Sequence, residues 1–233
     1  MINSFKFNTF LIAVSLSIFS SCYAQSPDQV TDFTKSAKFD DVSGVQSLIK
    51  SGVSPNTLDP QGNPMLIVAI RDKSFKVIDL LLDNKAIDVN LANKSGENPL
   101  MIASIEGELP VVETLILKKK AEVNRQGWTP LHYACSTGRL SVAQFLVANG
   151  AKVNALSPSD TTPLMMAVSS GNEVLIKFLL DHGADLRIRN HEGFSAIDVA
   201  VLFDKDDIRK GLISRWEKLY KQSYPGGPMK MAS

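Results

Sequence analysis

The side chains most able to do chemistry in this 233-residue chain are three histidines, one cysteine in the body of the sequence and the acidic pair Asp206-Asp207. His132 and Cys135 stand three apart in PLHYAC. On a helix that spacing makes neighbours and would permit a Cys–His nucleophilic pair. No third residue is placed to orient the histidine, and a small buried cysteine is ordinary packing material. His182 in LLDHGAD marks a helix end and His191 in RNHEG a turn. They come from different elements, whereas a metal needs ligands converging on one face. Asp206-Asp207 reads as a solvated face near the end of the chain. No GxxxxGK[ST] loop, GxSxG elbow or HExxH helix occurs. The expectation is no catalytic residue, no metal and no cofactor.

What would position these residues is a repeat. The stretch Gly127–Val153, GWTPLHYACSTGRLSVAQFLVANGAKV, has weaker copies on both sides. Aligned on Pro64, Pro99, Pro130, Pro163 and Ala196, the copies step by 35, 31, 33 and 33 residues. A period near 33 marks a supersecondary unit that buries its apolar face only against its neighbours. Asn63-Pro64 and Thr162-Pro163 open helices, where a polar cap followed by proline is favourable. Gly107 and Gly171 break the helix pairs, and Pro110 starts a second helix. The two surplus residues of the 35-residue step are expected in the turn around Asn84 to Asp88. Lys118-Lys119-Lys120 is expected at a helix C-terminus, where positive charge is favourable. Asn124 to Gly127 spans three residues where Asn90 to Gly96 and Asn154 to Asp160 each span six. A truncated, flattened turn should leave a notch there. The last copy loses Pro, His and the interior Gly and carries Lys205, Asp206, Asp207, Arg209 and Lys210, as a polar end cap would.

These residues resemble ankyrin repeats. The match is close at Gly127, Thr129, Pro130, Leu131, His132, Ala134, Gly138, Val142, Leu146, Gly150, Ala151, Val153 and Asn154, and good at Thr162, Pro163, Leu164, Ala167, Gly171, Leu179, Leu180 and Gly183 to Asp185. It is partial at Asn98, Pro99, Leu100, Ala103 and Gly107. The resemblance implies an all-α ankyrin-repeat solenoid of about five to six helix-turn-helix repeats with hairpin loops, capped at both ends. The repeats would cover residues 33–58, 59–92, 93–125, 126–156, 157–188 and 189–220. By the same resemblance His132 hydrogen-bonds within and between repeats, and the chain is a non-catalytic protein–protein interaction module. Its partner-binding candidates on the concave face and hairpin tips are Arg71, Glu97, Glu106, Trp128, Thr137, Thr161, Ser170, His191 and Phe194. Trp128 and Phe194 hold equivalent slots two repeats apart, and each either packs over its neighbouring hairpin or meets a partner.

Charge is nearly balanced, with 25 Lys+Arg against 24 Asp+Glu, and Lys6 is the only charge in the first 24 residues. A neutral body exerts no global pull on nucleic acid or anionic lipid. Lys6, the apolar run Phe7 to Phe19 and the exit SSCYAQS describe a secretory signal over residues 1–24. That run is shorter than the roughly 20 residues a spanning helix needs. Cleavage would follow Ala24; alternatively Phe19-Ser20-Ser21-Cys22 acts as a lipobox and Cys22 is lipidated. Either route leaves Cys135 as the sole body thiol, which suits an exported, periplasmic or secreted bacterial protein without disulfides. Residues 25–32 read as a linker, residues 221–233 as a disordered tail, and the chain as a monomer.

Overall fold

The computed structural model describes residues 25–227. Among the described residues twelve α-helices alternate between two layers. The inner layer is α1 (Pro27–Lys38), α3 (Met65–Arg71), α5 (Pro99–Glu106), α7 (Pro130–Ser136), α9 (Pro163–Ser170) and α11 (Ala196–Leu202), each packed on the next. The outer layer is α2 (Val42–Lys50), α4 (Phe75–Asp83), α6 (Leu109–Glu113), α8 (Leu140–Ala148), α10 (Glu173–Asp181) and α12 (Asp206–Tyr220). Six helix-turn-helix units thus form an all-α solenoid. Among the described residues no strand occurs, only an isolated bridge between Leu58 and Pro64. No described helix is long and apolar enough to cross a membrane.

Inner helices after α1 are only seven or eight residues long, too short to persist alone, so caps and stacking must hold them. Thr129, Thr162 and Asn98 each accept a hydrogen bond from the third residue of the helix, with Pro130, Pro163 or Pro99 at its first position. Ala69, Ala103, Ala134, Ala167 and Ala200 are fully buried, and their small side chains let successive inner helices approach closely. Leu100, Leu131 and Leu164 fill the space beside them. One left-handed residue ends every inner helix: Asp40, Lys73, Gly107, Gly138, Gly171 and Asp204, with φ between +53° and +79°.

Counted between those turns, the steps are 33, 34, 31, 33 and 33. Asn63 does not cap α3, and Pro64 sits before the helix, so Met65 takes the slot of Pro99, Pro130 and Pro163. One of the two surplus residues expected after α4 therefore lies here, and only the other in the turn at 84–88. The 31-residue step hides two departures. Helix α6 runs into a π-helical turn, Thr114–Lys118, where Ala121 N–H bonds to Leu115 O six residues back. The matching bond of the next unit, Ala151 to Leu146, spans five. This extra residue partly offsets the three missing from the following tip. Beyond it, Lys119 lies 3.9 Å from Asp83 and Lys120 has φ +59°.

Both ends depart from expectation. The linker over 25–32 is instead the start of α1: Ser26 and Gln29 form a reciprocal capping box with Pro27 at the first position, and Phe33 is fully buried. The disorder expected for 221–233 is corrected for residues 221–227. Tyr224 Oη lies 2.6 Å from both Ser195 Oγ and Asp198 Oδ2, and Arg189 donates to Gly226 O at 2.8 Å. The leader with Cys22 and the last six residues lie outside the described residues.

Candidate interaction surface

Four hairpin tips share one construction. Asp59, Asn93, Ser157 and Asn190 each exchange backbone hydrogen bonds with the residues three and four along. Each also accepts with its side chain from the N–H groups two and four residues on. Between Asn124 and Gly127 no such turn closes. Asn124 is committed elsewhere, donating to Gly150 O at 2.8 Å and accepting from Lys152 N–H at 2.9 Å. Asn56 and Asn154 staple their neighbours in the same way, and Asn90 accepts from Glu122 N–H. The vacated tip is taken by Arg125, which donates to Gly96 O of the preceding hairpin and approaches Met101 Sδ. The truncated turn expected from the spacing is present, with Arg125 bridging its floor.

Beside the notch lies the inner-helix face. Trp128 is half-buried, its ring edge-on to His132 with centroids 5.3 Å apart. Around it Ile105, Trp128, His132, Tyr133, Ser136 and Met166 line a shallow, mainly apolar pocket of about 220 Å³. The floor is fixed by His132. Its Nε2–H donates to Thr161 O at 2.9 Å, and its Nδ1 accepts from the Thr129 hydroxyl and N–H. Burial pushes the His132 pKa down to about 4, so the ring is neutral. Burial pushes the Cys135 thiol up, and both imidazole nitrogens are already engaged. The pair therefore has neither a thiolate nor a free base to offer. Among the described residues no cluster of three His, Cys, Asp or Glu side chains is placed to hold a metal.

The pocket's rim toward the N-terminal units is an ordered polar network. Glu97 accepts from Arg71 at 3.0 Å, Asn93 at 2.8 Å and the Tyr133 hydroxyl at 3.0 Å, while Arg71 also donates to Asn63 Oδ1. Burial, reinforced by the Glu97 charge, raises the Tyr133 pKa to about 12. Arg71 and Glu97, both partner-binding candidates, are thus partners of each other. Thr137 donates to Ile105 O and Ser170 to Ala167 O. Thr161 supplies its carbonyl to His132, and Glu106 helps hold the Lys73 ammonium above its usual pKa, after the larger effect of Glu108. His191 pairs with Asp160 at 2.9 Å between adjacent tips. Phe194 is not brought to Trp128; it lines a separate groove at the C-terminal end. Tyr133, Ile105 and Met166 escaped sequence reasoning. The available signal was that Tyr133 and Ser136, three apart, face away from buried Leu131 and Ala134.

Family models described as "Ankyrin repeats (3 copies)" match residues 33–126 and 150–222, and one described as "Ankyrin repeat" matches residues 126–158. The chain belongs to the ankyrin-repeat family. It is similar to the rat "Ankyrin repeat and SAM domain-containing protein 6", 33% identical over 105 residues that make 43% of this chain and 12% of that one. A second relative is the yeast "Probable 26S proteasome regulatory subunit p28", 35% identical over 44% of this chain and 47% of the relative. A third is the "Putative ankyrin repeat protein YahD" of Escherichia coli, 29% identical over 51% of this chain and 59% of the relative. The chain spans less than two thirds of each. Ankyrin repeats are protein–protein interaction modules and generally non-catalytic.

Proposed function

We propose that this ankyrin-repeat protein binds another protein, without catalysing a reaction, through its inner-helix face and hairpin tips around Trp128. The observation that carries this is the coincidence of the one shortened tip with the apolar pocket beside it. A half-buried tryptophan at such a rim has the character of an interface anchor. Arg71, Glu97 and Asn93 act by holding Tyr133 in place, and Arg125 by tying the floor of the notch to the preceding hairpin. Phe194 and His191 lie outside this patch. Affinity capture with purified protein tests the reading: Trp128→Ala should weaken recovery of a wild-type partner at least about tenfold. Equal recovery by wild type, Trp128→Ala and Tyr133→Ala would sink the patch.

We also propose export to the bacterial periplasm or beyond, with cleavage after Ala24. It is supported by the composition of residues 1–24 and by a body whose one thiol is buried and needs no disulfide partner. The run Phe19-Ser20-Ser21-Cys22 favours a second reading, a lipid-anchored envelope protein acylated at Cys22. Intact mass separates them: an N-terminus at Gln25 supports cleavage, an acylated Cys22 the anchor, and a retained Met1 neither.

A further inference from the structure

Each inner helix that has a unit after it buries the residue three before its left-handed turn. Ile70, Ser104, Cys135 and Val168 hold that slot and are fully buried. Val201 holds it in the last unit and is 47% exposed. Among the described residues the C-terminal end is therefore a stacking face with no unit upon it. The tail covers only part: Tyr224 and Gly226 engage Ser195, Asp198 and Arg189 and leave Val201 open. What remains is a groove of about 490 Å³ floored by Phe194, Val201 and Leu202, with Arg209, Ile213 and Glu217 of α12 along its side. The polar cap expected from the sequence is thus polar on the outside of α12 and apolar toward the end of the stack.

The α12 stripe says what fits. Arg209, Ile213 and Glu217 are four residues apart, hence on one face. Arg209 and Glu217 are exposed and enter no ion pair among the described residues. Their charges are palindromic about Ile213. A two-fold axis through Ile213 sets Arg209 of each copy against Glu217 of the other, with the two Ile213 side chains between them. We propose that this end face is covered by a second copy of the chain, docked through α12 in antiparallel register over the Val201 groove. The contact is closed, and so it caps both stacks instead of extending them.

Sedimentation equilibrium of the full chain tests this, with far-UV circular dichroism as the fold control. Wild type should show a reversible dimer with a Kd of about 10–100 µM. Glu217→Arg or Arg209→Glu alone should weaken it at least about tenfold. An equimolar mixture of the two single variants should restore dimer, since every 209–217 pair across the axis is again of opposite sign. A wild-type chain monomeric at about 1 mM overturns the proposal. So does failure of the mixture to re-associate, or single reversals that leave the dimer intact. Deletion of residues 228–233 offers one more arm: a dimer formed only after deletion would make those residues the natural cover, and the proposal fails.

Discussion

His132 can hold only one proton in this fold. The Thr161 carbonyl requires a donor at Nε2, while two Thr129 donors point at Nδ1 and leave no room for a second hydrogen. Its folded pKa of about 4 lies below the reference value of 6.5, so the folded state binds fewer protons than the unfolded chain between those pH values. The stability it contributes is fully present above pH 6.5 and is lost as pH falls toward 4, by on the order of 3 kcal/mol. Urea midpoints measured at pH 7 and pH 4.5 should therefore diverge more for wild type than for His132→Gln. Equal divergence would mean that the ring is not sealed. The left-handed turns give a second test. Asp40 offsets its unfavourable φ by accepting from Val77 N–H, and Lys73 by its ion pair with Glu108. Asp204, at φ +53°, has no side-chain partner among the described residues. Asp204→Gly should raise stability by about 0.5–1 kcal/mol, read as an increase in Tm, because glycine tolerates this conformation without strain.

At the scale of the helix pair, stacking does the stabilising. Leu131 and Leu164 are each 1% exposed between successive inner helices. Truncating either to alanine should cost about 2–5 kcal/mol in chemical denaturation, and under about 0.5 kcal/mol for both would refute the packing described. Asn124→Ala should cost about 1–2 kcal/mol, because it strips a donor and an acceptor from the junction with the next unit. Much of this architecture was legible in local chemistry: Thr-Pro at helix starts, glycine at three of the six left-handed turns, and three residues missing before Gly127. The rest depended on geometry that short patterns do not carry. Asn63-Pro64 and Asn98-Pro99 read alike, yet proline precedes one helix and begins the other. The π turn at 114–118 was masked because the deletion in the next tip outweighs it. The polar segment QSPDQVT read as linker, since a capping box differs from a loop only in where its side chains bond. Tyr224 finds partners 26 and 29 residues away, beyond any local pattern. The pocket at Trp128 draws on α5, α7 and α9, so no single repeat discloses it.

Across the whole molecule the apolar interior is continuous from Phe33 to Trp216. Among the described residues the main helix contacts join neighbouring units, so cooperativity passes from interface to interface. The two tryptophans sit at the fourth unit and in the final helix, and so sample the middle and the end of the stack. Urea transitions followed through Trp128 in a Trp216→Phe chain, and through Trp216 in a Trp128→Phe chain, should coincide after correction for each substitution; separated midpoints would show that the last unit melts on its own. Cys135 lies fully buried between these reporters, with burial disfavouring its thiolate. A thiol reagent can reach it only when α7 and α9 part. The rate at which the Cys135 peptide gains label, followed by mass, is then a native clock for breathing of the stack at its centre.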